Sequence, residues 1–183
     1  MNMTEIEQTL AEADCLASPN QVDDAIDRLA SGITAQLKGS NPIVFCVMNG
    51  GMVVAGRLLC KLSFPLEVAY LHATRYGQHL NGSLIEWRVQ PTQDVRDRAV
   101  LVIDDIHDEG YTLDAIVDHL RSQGATSVHT AVLVHKLHDR KSAPGMRADF
   151  SGLDIEDRYL FGCGMDYKGY WRNAPGIYAP KGL

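Results

Sequence analysis

The chain has 183 residues, 45% hydrophobic and 22% charged, which is ordinary for a soluble globular protein and long enough for one domain with a real core. Net charge is -6 with no dense Lys/Arg block, which argues against a nucleic-acid or membrane-surface protein, where a basic patch is expected. A small anionic substrate stays open, because a metal ion and a few placed cations can supply charge locally.

In chain order, "MNMTEIEQTLAEADCLASP" is acidic and lacks an apolar h-region, so no signal peptide is expected. Thr4 to Asp14 predicts a short helix. Asn20 to Leu37 sets Val22, Ile26, Leu29, Ile33 and Leu37 at helical spacing and predicts an amphipathic helix. "IVFCVM", Ile43 to Met48, is continuously apolar and predicts a strand buried on both faces, as in a parallel sheet. "NGG" breaks it, and Met52 to Leu62 predicts a helix. "LEVAYLHA", Leu66 to Ala73, is the next strand. Arg75 to Arg98 is polar, carries Gly77, Gly82 and Pro91, and is longer than a connection requires. It reads as a mobile functional loop with a short β-ribbon around "SLIEWRV". Ala99 to Ile103 is a buried strand. Thr112 to Gln123 is a helix with Leu113, Ile116, Val117 and Leu120 on one face, stopped by Gly124. "SVHTAVLVH" is another strand, Leu137 to Met146 a polar loop, and the tail alternates short apolar pieces with Gly.

This order implies an α/β domain with a central parallel sheet flanked by helices. Ligands bind such sheets at the carboxyl ends of strands. Three stretches rich in reactive side chains fall there: "MNGGM", "DDIHDEGYT" and "HKLHDRK". The four cysteines, Cys15, Cys46, Cys60 and Cys163, show no CxxC spacing, and reduced thiols in a cytoplasmic protein are expected. No apolar run approaches the roughly 18 residues of a membrane span. Neither an internal repeat nor a linker divides the chain, so a single domain over 1–183 is expected.

"VLVIDDIHDEGYT", Val100 to Thr112, places four carboxylates after an apolar run. In Asp108 to Thr112, Gly110 permits a tight turn. The backbone N–H groups of Glu109, Gly110 and Tyr111, with the Thr112 hydroxyl, can hold a phosphate at a helix N-terminus. Asp104 and Asp105 cannot bind phosphate, but a carboxylate takes O–H donors well. A phosphate cradle beside a hydroxyl clamp describes a ribose 5-phosphate site.

The whole stretch resembles the phosphoribosyl-pyrophosphate signature of type I phosphoribosyltransferases. "FCVMNGGMVVAGRLL" is similar to the pyrophosphate-binding segment of the hypoxanthine-guanine branch of that family. The resemblance implies a cis peptide at Met48–Asn49 and pyrophosphate contacts from Met48, Asn49, Gly50 and Gly51. "TRYG" is similar to the family's flexible lid, with Tyr76 as its tyrosine, and the lid would span about 75–98. "VLVHK" resembles the strand ending in the lysine that meets the purine's exocyclic oxygen, here Lys136. "DRYLFGCGMDYKGYWRN" is similar to the hood segment: Tyr159 and Leu160 would line the base, Asp166 would bind metal, and Arg172 would bind pyrophosphate. The hood would comprise the N-terminal segment and about 149–183. The chain departs from the family's pattern at Asn49, where a basic residue is common, at Glu109, where Thr is usual, and at Tyr111.

The resemblance implies purine salvage: transfer of a phosphoribosyl group from phosphoribosyl pyrophosphate to hypoxanthine or guanine, through an oxocarbenium-like transition state. Mg²⁺ would be the cofactor, with Asp104 and Asp166 as ligands. Asp105 would hold a ribose hydroxyl, and Asp108 would act as general base or acceptor at N7. A homodimer or homotetramer is implied, with no nucleic acid and no membrane as partner. Two other readings are a phosphoribosyltransferase of the same fold for xanthine or another base, and a regulator that senses phosphoribosyl pyrophosphate.

Overall fold

The structure, a computed structural model, describes residues 2–75 and 85–182. Tyr76 and the rest of 76–84 lie outside the described residues. In chain order the elements are α1 (Met3–Glu12), β1 (Asp14–Ala17), α2 (Pro19–Leu37), β2 (Ile43–Val47), α3 (Gly51–Leu59), β3 (Glu67–Arg75), β4 (Ile85–Val89), β5 (Ala99–His107), α4 (Tyr111–Ser122), β6 (Ser127–Leu137), β7 (Phe150–Glu156) and β8 (Ile177–Ala179). The large sheet has the order β4-β3-β2-β5-β6-β7. Every neighbouring pair is parallel except β3 and β4, which run antiparallel.

Local sequence explains the long elements. Ser18 and Gln21 close a reciprocal capping box ahead of Pro19, which starts α2. Its predicted stripe is buried, with Ala25 and Ala30 beside it. All five residues of β2 are buried, as a continuous apolar run demands. Alternate residues separate the two faces. Val44, Cys46, Leu101 and Ile103 pack on the side of α2 and α3. Ile43, Phe45, Val100 and Val102 pack on the side of α4, with its Leu113, Ile116 and Leu120. Gly124 takes φ +94° just beyond α4, a conformation that a side chain disfavours.

Several boundaries differ from expectation. The first helix ends at Glu12, and Asp14–Ala17 is instead a strand, paired antiparallel with β8 in a separate two-stranded sheet. The third helix spans Gly51–Leu59 rather than Met52 to Leu62. The strand expected to stop at Ile103 runs on to His107, so both acids of the pair sit inside it. Pairing with β6 continues through Asp104↔Val132 to His107↔His135, whereas pairing with β2 stops at Cys46↔Ile103. One neighbour therefore holds β5 extended while the other has turned away. β7 is an unexpected parallel edge strand on β6, so Phe150–Glu156 belongs to the large sheet and the expected boundary at 149 lies too early. Beyond it, the two termini meet. Trp171 Nε1 donates to the Ile6 carbonyl at 2.7 Å, and Arg158 pairs with Asp14 at 2.9 Å.

The expected ribbon is β4 on β3. The end of the expected lid is fixed to the body instead: Val95 is buried in the core, and the Asp97 N–H donates to the Gly124 carbonyl at 3.0 Å.

Phe45 is fully buried in the middle of the sheet. Phe45→Ala should lower unfolding free energy by about 3–5 kcal/mol, the usual range for such a truncation, as read by urea unfolding. A loss under about 1 kcal/mol would mean that the core collapses freely around the site.

Candidate active site

Strand order reverses between β2 and β5, since β3 lies on one side of β2 and β5 on the other. The loops after these two strands leave a crevice at the carboxyl edge, the usual place for a ligand in such sheets. It holds a cavity of about 490 Å³. Met48, Asn49 and Gly50 form one wall, Asp104 to Leu113 the opposite wall and floor, and Thr74, Arg88 and Arg172 the rim.

The first wall is shaped by close approach. The Met48–Asn49 peptide is cis. A Cβ on Gly50 would stand 2.1 Å from Asp105 Oδ2, and one on Gly51 would stand 2.6 Å from the Ile103 carbonyl oxygen. Glycine here lets the start of α3 lie directly on β5. Gly164, at φ +111°, closes the far side: a Cβ there would fall 2.4 Å from the Gly50 carbonyl oxygen.

The acid pair sits against this glycine turn. Asp104 Oδ1 accepts the Asp105 backbone N–H at 2.9 Å, and Asp105 is 6% exposed. Burial, then the neighbouring Asp105, push the Asp104 carboxyl well above its usual range, and burial raises Asp105 too. Arg172 opposes this from 4.0 Å, while donating to the Gly164 carbonyl at 2.6 Å and pairing with Asp166.

The turn expected at Gly110 is present. Gly110 takes φ +94° as the N-cap of α4, and no side chain caps that helix end. Residues Glu109 to Leu113 at this helix start line the cavity. A Cβ on Gly110 would meet His107 Nε2 at 2.7 Å, a second reason for glycine. The loop after β6 braces it from behind. Ser142 N–H donates to the Glu109 carbonyl at 2.7 Å, and Lys141 Nζ donates to the carbonyls of His107 and Lys136 at 3.2 and 2.7 Å.

At the end of the cavity nearest β6, Asp108 meets Lys136. Lys136 Nζ lies 3.2 Å from Asp108 Oδ2 and 3.1 Å from Asp157 Oδ1. His138 Nε2 lies 2.6 Å from Asp108 Oδ1. Burial alone would raise the Asp108 carboxyl. The His138 hydrogen bond and the Lys136 charge outweigh it and hold the group below the usual carboxylate range. Asp108, His138 and Asp157 could together hold a metal ion, but the Lys136 ammonium already lies between the two carboxylates.

Of the residues expected from sequence, Met48, Asn49, Gly50, Asp104, Asp105, Asp108, Glu109, Gly110, Tyr111, Thr112 and Arg172 line the cavity. Gly51 supports it from beneath, and Lys136 reaches it through Asp108. Asp166 does not line it. The carboxylate is joined to the acid pair through Arg172 and also accepts the Gly169 N–H at 2.7 Å. Tyr159 stands outside at 45% exposure, its hydroxyl donating to the Asp166 carbonyl at 3.2 Å, and the Leu160 side chain is packed in the core. Arg88, His72, His107 and His138 are additions. Arg88 sits on the ribbon inside the loop flagged by length, and His138 in "HKLHDRK". Arg88 and Arg172 are both close enough to His72 for their charges, after burial, to lower its pKa. His107 and His135 stack at 5.2 Å, and burial lowers the pKa of both, His135 to about 4.

Known proteins are similar to this chain. A family model described as the phosphoribosyl transferase domain matches residues 16–168. A hypoxanthine-guanine phosphoribosyltransferase of Mycoplasma genitalium is 26% identical over 87% of this chain and 92% of its own. A hypoxanthine-guanine-xanthine phosphoribosyltransferase of Tritrichomonas foetus is 30% identical over 88% of each chain. Among solved structures, a hypoxanthine phosphoribosyltransferase from Staphylococcus aureus has the same fold, with TM-score 0.87 at 21% identity over 98% of this chain and 97% of its own.

The acid pair has a consequence for stability. Burial lifts the folded Asp104 carboxyl above its unfolded value, so its contribution is present below the unfolded pKa, 3.8, and is lost as pH rises through the raised folded value. Asp104→Asn removes the charge and keeps the acceptor oxygen. In metal-free buffer it should raise Tm at neutral pH, and the gain should vanish on acidification toward the unfolded value. Calorimetry across pH measures this, and a Tm unchanged at neutral pH would mean that Asp104 is fully solvated.

Proposed function

The chain belongs to the phosphoribosyl transferase domain family, and from that premise we propose that it is a purine-salvage enzyme. It transfers the 5-phosphoribosyl group of phosphoribosyl pyrophosphate to hypoxanthine or guanine, giving IMP or GMP and pyrophosphate. The observation that carries the reading is Asp108 beside Lys136, 3.2 Å apart, at one end of a cavity whose other parts are a phosphate loop and an acid pair. A 6-oxopurine offers an N–H donor at its imidazole ring and a carbonyl acceptor beside it. Asp108 would accept from the first and Lys136 would donate to the second. Adenine presents an amino donor where Lys136 also donates, so it is disfavoured by leaving polar groups unpaired.

The rest of the site follows from charge. As the bond from the anomeric carbon to pyrophosphate lengthens, positive charge grows on the ribose and negative charge on the leaving group. Fixed charges aimed at those positions favour the transition state. Asp104 and Asp105 would accept the ribose hydroxyls. The Glu109–Thr112 turn would hold the 5-phosphate by backbone N–H groups. Met48–Gly51 would present backbone groups to pyrophosphate, with Arg172 and Arg88 as cations. Arg88 would supply charge that Asn49 lacks. Asp108, ionised, would take the purine proton as general base. Tyr76 would belong to the closing loop, and Tyr159 would stack on the base after the hood moves inward.

The acid pair suits a hard divalent cation, since it offers close carboxylate oxygens whose charge is only partly met by Arg172. Asp104 would hold Mg²⁺, with Asp166 approaching once its Arg172 partner turns to pyrophosphate. When bound, the ion neutralises charge on the leaving group. Among the described residues no helix is long and apolar enough to cross a membrane. Free cysteines support a cytoplasmic location. Exposed Val68 and Tyr70, on one face of β3, support self-association as a dimer or tetramer.

The test is a panel of hypoxanthine, guanine, xanthine and adenine with phosphoribosyl pyrophosphate and Mg²⁺. Hypoxanthine and guanine should be converted, adenine at least ~100-fold more slowly, as expected for a mispaired polar edge. Xanthine tests whether the 2-oxo group finds a partner. Rapid conversion of adenine with inert hypoxanthine would overturn the base assignment.

A further inference from the structure

The loop after β6 turns back over Asp108 and carries a residue that the reaction has not yet used. The His138 side chain is 5% exposed. Its Nδ1 accepts the backbone N–H of Arg140 at 3.0 Å. A ring nitrogen that accepts an N–H carries no proton, so the proton of the neutral ring is on Nε2. Nε2 stands 2.6 Å from Asp108 Oδ1 and therefore donates to it. Lys136 holds the other oxygen, Oδ2, at 3.2 Å. Lys136 can move to a substrate oxygen because Asp157 offers it a second anchor at 3.1 Å. His138 has no such alternative: its ring is fixed at both nitrogens.

We propose that His138 is a positioning residue for purine recognition, whose Nε2–H fixes the Asp108 carboxylate and leaves its Oδ2 side to face the base. The proposal rests on the reading of Asp108 as the group that accepts the purine proton. Two consequences follow from the geometry. First, Asp108 stays correctly oriented while Lys136 transfers its attention to the substrate. Second, a donor on the carboxylate favours its ionised form, and the His138 hydrogen bond and Lys136 both do so. The charged and titratable groups around the pair are Lys136 and Asp157 in front, Arg140 and Lys141 from the loop, and His107 and Glu109 along the chain.

His138→Leu removes the donor and keeps bulk, whereas His138→Gln returns an amide N–H at similar reach. Activity needs Asp108 ionised, so the rate falls as pH drops through its pKa. In His138→Leu that fall should begin at higher pH. Its kcat/KM for hypoxanthine should be about tenfold lower, the size of one hydrogen bond to a charged group. KM for phosphoribosyl pyrophosphate should hold, because the phosphate loop and acid pair are untouched. His138→Gln should restore both the rate and the acid limb. The proposal is overturned if His138→Leu leaves the acid limb and kcat/KM unchanged, or if His138→Gln is as deficient as His138→Leu. A measurement on the unaltered protein decides the matter even if a variant fails to fold. The ¹⁵N shifts of the His138 ring should show a proton on Nε2 and none on Nδ1, and the reverse tautomer would overturn the proposal. Asp108→Asn run in parallel separates the two claims. Full activity in that variant would refute the role given to Asp108, while the ring tautomer and the ¹³C titration of Asp108 in His138→Leu still report on the His138 contact.

Discussion

Carboxylates taken out of water without a full set of partners oppose folding, and β5 carries two adjacent ones, Asp104 and Asp105, near its carboxyl end. Burial raises the pKa of both, the charge of Asp105 raises Asp104 further, and Arg172 stands 4.0 Å from Asp105. Much of the surrounding architecture makes sense as the means of keeping this pair in place. β6 holds β5 extended past the point where β2 has turned away. Gly50 and Gly51 let α3 press on to the acids, and Gly164 closes behind them. Two apolar layers, one on each face of the sheet, supply the favourable burial that offsets the charged end.

The same pressure of charge divides the cavity into functional ends. Near the acid pair, the local excess of negative charge would draw in hydroxyls and a cation. At the turn into α4, the positive end of the helix would draw in an anion. Toward β6, Asp108 is kept ionised by donors rather than raised by burial. Three carboxylates within five residues thus have opposite tendencies, set by their partners and not by their chemistry. Bringing a phosphorylated sugar and a purine into one crevice uses all three environments at once.

Much of this was legible in the residues. The unbroken apolar run of β2, the helical stripe of α2 and the stop at Gly124 follow from periodicity and backbone preference. The acid pair and the glycine turn of the phosphate loop were visible as a pattern of residue types. The missed parts depend on tertiary partners. β1 and β8 are only four and three residues long and exist by pairing with each other. β7 reads "FSGLDIE", with few buried positions, and is held as a strand by β6. The extension of β5 through its acids runs against propensity, and β6 decides it. The Lys136–Asp108–His138 contacts join positions about thirty residues apart, so spacing alone could not supply them. Arg88 lies in a segment whose length signalled function, but the only residue the resemblance singled out there was Tyr76.

On this account the sugar phosphate and its cation are what satisfies the acid pair. Ligand-linked thermal unfolding tests it most directly, since a ligand that binds only the folded state raises Tm. With phosphoribosyl pyrophosphate and Mg²⁺ together, the unaltered protein should show a large rise in Tm. The double variant Asp104→Asn with Asp105→Asn, although it unfolds no earlier by itself, should show almost none. An equal rise in both proteins would contradict the account and place the sugar phosphate somewhere other than the end of β5.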